Sequence, residues 1–144
     1  MPGIIVGIDG STHSHQALEW ALSEAAARHA PLTVLTVHQA LASNWGDPVL
    51  ADQDLTKRAR EAAQEETDIV LGKVSEEERP PSVTVRAVTG VPAEELLDAA
   101  ADADLLVVGS RGAGGFKRLL MGSVCTQVTH HAHCPVVVIP ADNT

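Results

Sequence analysis

Leu105-Leu106-Val107-Val108-Gly109-Ser110-Arg111-Gly112-Ala113-Gly114-Gly115 sets an uninterrupted apolar run against four glycines in seven residues. An apolar run without alternation is the pattern of a strand buried on both faces, as in a parallel sheet. A glycine loop that follows such a strand and leads into a helix gathers backbone N–H groups around an anion. Glycine lets the backbone come close to a ligand, and ordering so many glycines with nothing in the loop is costly. Charge points the same way. From Leu105 through Ala141 there is no Asp or Glu, although the chain holds nineteen, and the stretch carries Arg111, Lys117 and Arg118.

Working outward, Ser123 can cap a helix with Cys125, Val128 and Ala132 on one side. Pro135 to Pro140 then encloses Val136-Val137-Val138-Ile139, a last short strand. At the other end of the chain, residues 3–9 form a second uninterrupted apolar strand that runs into Asp9-Gly10-Ser11. Leu18, Ala21, Leu22 and Ala25 make one face of a helix, with Ser11, Thr12 or Ser14 as its cap and Pro31 as its stop. Residues 32–38 read as a strand, and Val83–Val88 as an edge or half-exposed strand. Between them, Asp52 to Glu78 reads as one long surface helix with a solvated charged face. Gly90-Val91-Pro92 turns the chain, and Pro92 can open a helix carrying Leu96, Leu97 and Ala100. Five strands alternating with four helices predict a single α/β domain over residues 1–144, doubly wound, with right-handed crossovers.

The 144 residues carry a formal net charge of −9, which argues against nucleic acid as a partner. No apolar run approaches the roughly 20 residues that span a bilayer. Met1-Pro2-Gly3 has no basic region of the signal-peptide kind, so a cytoplasmic protein is expected. Trp20, Trp45 and Phe116 are the only aromatics, and the core must be aliphatic. Cys125 and Cys134 read as a buried, reduced pair.

In an open α/β sheet, ligands bind beyond the carboxyl ends of the strands where strand order reverses. The two candidate ends are Asp9-Gly10-Ser11 and the loop from Gly109. A Walker P-loop is absent, and Gly112-Ala113-Gly114 does not continue as a dinucleotide fingerprint. What matches is Gly109-x2-Gly112-x9-Gly122-Ser123. With the Val-Gly-Ile-Asp-Gly-Ser opening and the Pro-Val-Val-Val-Ile-Pro close, it resembles the ATP-binding branch of the universal stress protein family along the whole chain. That resemblance implies strand order 3-2-1-4-5, a homodimer and ATP with Mg²⁺. It implies Asp9 on the ribose, Ile8 and Gly10 beside the nucleoside with Ser11 next in the turn, and Val37 at the adenine. Gly109 would border the ribose, with Ser110 next to it. Arg111, Gly112, Gly122, Ser123 and Val124 would surround the phosphates.

Other residues invite rival readings. His130-His131-x-His133-Cys134 offers metal ligands, but its spacing splits them around a helix, where cationic histidines at a helix end are the simpler account. His13 and His15 read as exposed first-turn residues, and His38 as a neighbour of the adenine pocket. No nucleophile-base set is recognisable by spacing, so an ATP-state switch with an unknown downstream partner fits better than rapid turnover. AMP or cyclic AMP as ligand, a nucleotide-independent dimeric adaptor and a slow ATP hydrolase are the alternatives. The apolar edge strand Val136–Ile139 is expected to pair with its copy in a second chain.

Overall fold

Strand β1 (Ile4–Ile8) sends Ile4, Val6 and Ile8 to one side and Ile5 to the other, and all four are buried. Alternate residues of a strand face opposite ways, so an unbroken apolar run requires cover on both sides. A computed structural model, which describes residues 3–38, 49–110 and 123–140, provides it. On one side lie α1 (Thr12–Arg28) and α2 (Val49–Leu71), on the other α3 (Pro92–Ala99) and α4 (Ser123–His131). The remaining strands are β2 (Leu32–His38), β3 (Val83–Thr89), β4 (Leu105–Gly109) and β5 (Val136–Ile139). All pairings are parallel and the order is β3-β2-β1-β4-β5. This is the doubly wound five-stranded sheet expected from the sequence.

At Gly7 a Cβ would stand 2.8 Å from Leu96 Cδ2, so α3 rests directly on the backbone of β1. Helix α1 buries the Ala17, Leu18, Ala21, Leu22 and Ala25 stripe. It ends at Arg28 because His29 takes the left-handed conformation (φ 54°), and Ala30 N–H returns to Ala25 O at 2.9 Å. Such a cap satisfies the last carbonyls, usually with glycine. Pro31 follows two residues later.

The reading of Asp52–Glu78 as one helix needs correction. Helix α2 starts at Val49 and ends at Leu71, and a separate 3₁₀ turn covers Glu76–Glu78. Gly72 ends the run, and Ser75 in extended conformation starts the next turn. Opposite its solvated charged face, α2 has a side turned to the core. Ala63, Thr67 and Val70 are buried, and the Thr67 hydroxyl donates to Ala63 O at 2.7 Å. Cys134 is half-buried rather than buried, and both cysteines are free.

The sheet edges are unlike. β3 exposes Thr84 and Arg86, whereas all four residues of β5 are apolar and half-buried. Among the described residues no helix is long and apolar enough to cross a membrane.

Candidate functional site

Order β3-β2-β1-β4-β5 makes β1 and β4 neighbours, and their connections leave in opposite directions. Their paired register runs from Ile4↔Leu105 to Val6↔Val107. It stops two residues short of Ile8 and Gly109, the last residues of the two strands, so both strand ends lie at the same carboxyl edge. This is the topological switch point, where such sheets form a crevice.

The β1 side is a closed hydrogen-bonded turn. Ser11 N–H donates to Asp9 Oδ1 (3.0 Å), and Asp9 N–H donates to Ser14 Oγ (3.1 Å). Ser14 N–H donates to Ser11 Oγ (3.1 Å), and the Ser14 hydroxyl returns to Ser11 O (3.1 Å). Ser11 is thus the N-cap of α1, one of the three candidates in the sequence. Gly10 has φ +83° and nothing within 4 Å of where a Cβ would stand. Asp9 and Gly10 are exposed at the edge.

On the β4 side, Gly109 pairs with Ile139 of β5. Ser110 is buried, and its N–H donates to Ile139 O at 2.9 Å. Ser123 is exposed as the first residue of α4 rather than the residue before it, and Val124 packs into the layer beneath β4. Val37 pairs with Val88 and packs on the α3 and α4 side, two strands from β4. Arg111, Gly112 and Gly122 lie outside the described residues.

Neither α1 nor α4 has an acid in its first turn, whereas α3 has Glu94 and Glu95 there. Helix N-termini normally favour acids. In a chain of net charge −9, the helices that follow β1 and β4 start without an acid.

Several side chains depart from the sequence reading. His13 and His15 are half-buried, not exposed. Among the described residues, His13 Nδ1 is buried without a hydrogen-bond partner. His15 Nδ1 meets Glu66 Oε2 at 2.8 Å, tying α1 to α2. That contact joins residues 51 apart in sequence and has no local signature. A groove of about 470 Å³ lies beside it, lined by Gly10, Ser11, Thr12 and His15 of the α1 end and by Ala62, Glu65, Glu66 and Ile69 of α2. Two glutamates in its wall make it unsuited to phosphate.

Among the described residues, the His130–Cys134 stretch included, no group of three or more His, Cys, Asp or Glu is placed to hold a metal ion. Burial pushes the Cys125 thiol pKa up. Burial does the same to Cys134, opposed by a hydrogen bond from the Leu106 backbone and reinforced by the Asp104 charge.

The universal stress protein family model matches residues 2–140. The chain belongs to the universal stress protein family. A universal stress protein of Mycolicibacterium smegmatis is 35% identical over 152 aligned positions, covering 98% of this chain and 49% of the relative. The chain spans about half the length of the curated relatives it matches. Among solved structures, a universal stress protein from Lactobacillus plantarum superposes with a TM-score of 0.81 at 28% identity, covering 96% of this chain and 97% of the other. A crystal structure of a universal stress protein in complex with cAMP gives 0.67 at 26% identity, covering 96% of each chain. Family and strand order both agree with the sequence reading.

Proposed function

We propose that this member of the family binds an adenine nucleotide, ATP with Mg²⁺, across the carboxyl ends of β1 and β4, and that it acts as a nucleotide-responsive homodimeric regulator. One observation carries the reading: β1 and β4 are adjacent, so the Asp9 turn and the strand that opens Gly109-x2-Gly112-x9-Gly122-Ser123 share one edge. The cAMP complex of a relative at 26% identity adds support for an adenine ligand.

Asp9 supplies a carboxylate for the ribose hydroxyls, with Ile8, Gly10 and Ser11 along the nucleoside. Val37 offers backbone to the adenine. Gly109 and Ser110 line the ribose side. Arg111, Gly112, Gly122, Ser123 and Val124 are assigned to the phosphates, and at the start of α4, where Ser123 and Val124 stand, N–H groups and the helix dipole favour negative charge. Charge-assisted hydrogen bonds of this kind contribute about 1.5–3 kcal/mol each. No acid stands in the first turn of α4, so Mg²⁺ would be held by the phosphates rather than by a carboxylate cage. The chemistry fits binding and switching better than fast hydrolysis. Dimerisation uses β5, whose apolar edge pairs with its copy.

Calorimetry with ATP, AMP and cAMP, run on the wild type and on Gly122→Glu, tests the site. Tight binding of one nucleotide is expected, and its loss when a carboxylate enters the phosphate seat. Wild-type affinity in the variant would remove the loop from the site. Cyclic AMP as the preferred ligand is the second reading, favoured by the relative's complex, and the same titration separates it from ATP.

A further inference from the structure

Of the three exposed large hydrophobic side chains among the described residues, two stand on α2: Leu55, 41% exposed, and Ile69, 54% exposed. Ala62 is also exposed and lies midway between them. Residues seven apart on a helix share one side, two turns on. Leu55, Ala62 and Ile69 therefore form a stripe, and the core-facing residues Ala63, Thr67 and Val70 lie round the helix from it.

Charge along α2 changes sign near the middle of that stripe. Asp52 and Asp54 precede a basic run, Lys57, Arg58 and Arg60, and from 61 to 68 stand Glu61, Glu65, Glu66 and Asp68 with no base. We propose that this face is a self-association surface, on which the α2 helix of a second copy docks antiparallel about a twofold axis beside Ala62.

The antiparallel copy is the occupant that the charges select. A twofold axis through Ala62 sets Leu55 opposite Ile69 of the partner subunit and Ala62 opposite its own copy, where the small side chain allows close approach. Arg58 and Glu65 project from the same flank, and a twofold of this kind brings like flanks together. Arg58 then faces Glu65 of the partner subunit, and the reverse contact repeats it, as an isologous interface requires. A parallel copy would put bases on bases. A basic peptide would suit Glu61–Asp68 but meet Lys57–Arg60. Arg58 now pairs with Asp54 at 3.2 Å, with side chains 72% and 60% exposed. So exposed a pair contributes little and exchanges readily.

Helix α2 packs over β2 and β3, at the opposite end of the sheet from β5. The α2 surface therefore works whether or not β5 edges pair. Its apolar area is small, which places it among weak, reversible contacts.

Sedimentation velocity over rising concentration, on the full chain, tests the proposal. A reversible doubling step is expected in the wild type and in Val137→Lys. Arg58→Glu should weaken that step by about tenfold or more, and Arg58→Glu with Glu65→Arg should restore it. No doubling up to about 1 mM, or no effect of Arg58→Glu, or no rescue, overturns the α2 surface. If Val137→Lys alone abolishes all association, β5 pairing stands and the α2 surface falls. If it changes nothing while Arg58→Glu acts, the reverse holds. Cross-linking provides a second readout that needs no stability comparison. In a Cys134→Ser background, Ala62→Cys should give a disulfide-linked dimer on mild oxidation, and the exposed control Asp68→Cys should not. Equal yields from the two would also overturn the proposal.

Discussion

The ends of β1 and β4 meet at one edge of the sheet but are held in place by different means. After β1, the turn closes on itself: Asp9, Ser11 and Ser14 satisfy one another through four hydrogen bonds within six residues. After β4, Ser110 is fixed through its N–H to Ile139, a residue of the edge strand. One half of the crevice is thus built locally. The other is built through a neighbouring strand, and that strand is the one expected to meet a second chain.

The largest effect expected from breaking this contrast comes from Ser14→Ala. It removes the acceptor for Asp9 N–H at a buried position, and stability should fall by about 1–3 kcal/mol in urea unfolding. A change within error would show that the turn does not depend on its own bonds. Next comes Ser11→Ala, which deletes the cap of α1 and should cost about 1 kcal/mol by the same measurement.

Val137→Lys sharpens the other side of the comparison. At concentrations too low to populate the weak α2 contact it should yield monomer by light scattering, and it should raise hydrogen exchange at the Ser110 amide by about tenfold while leaving the Ser14 amide unchanged. Equal acceleration at both would deny the separation. The smallest effect is alkaline. Both thiols lie on the β4 and α4 side, and burial raises their pKa above the ordinary 9.0. The unfolded chain then loses those protons first, so stability is fully present below that range and declines as pH rises through it. The decline in the urea midpoint should vanish in Cys125→Ala with Cys134→Ser.

Much of this was legible from composition and period. β1 and β4 announced themselves as unbroken apolar runs, because a strand covered on both faces has no polar side to show. Pro92 marked α3, and Pro135 and Pro140 bracketed β5. The end of α2 carries a local mark in Gly72, a poor helix former of the kind that stops helices, but the charged residues that resume at Lys73 and Glu76 make the stretch read as one continuous helix face. The His15–Glu66 contact was hidden for another reason, since two helices far apart in sequence meet only after the sheet has formed. Strand order followed from the family resemblance rather than from any spacing, because parallel strands carry no local mark of their neighbours.

Gly10 carries a consequence for stereochemistry. Its φ of +83° excludes an ordinary side chain, yet no atom lies where one would go. The constraint is one of handedness rather than of room. A D-alanine introduced there by chemical ligation should fit the turn and stiffen the unfolded chain, whereas L-alanine should strain it. Mirror-image substitution at a single residue would thus separate the shape of this turn from its size.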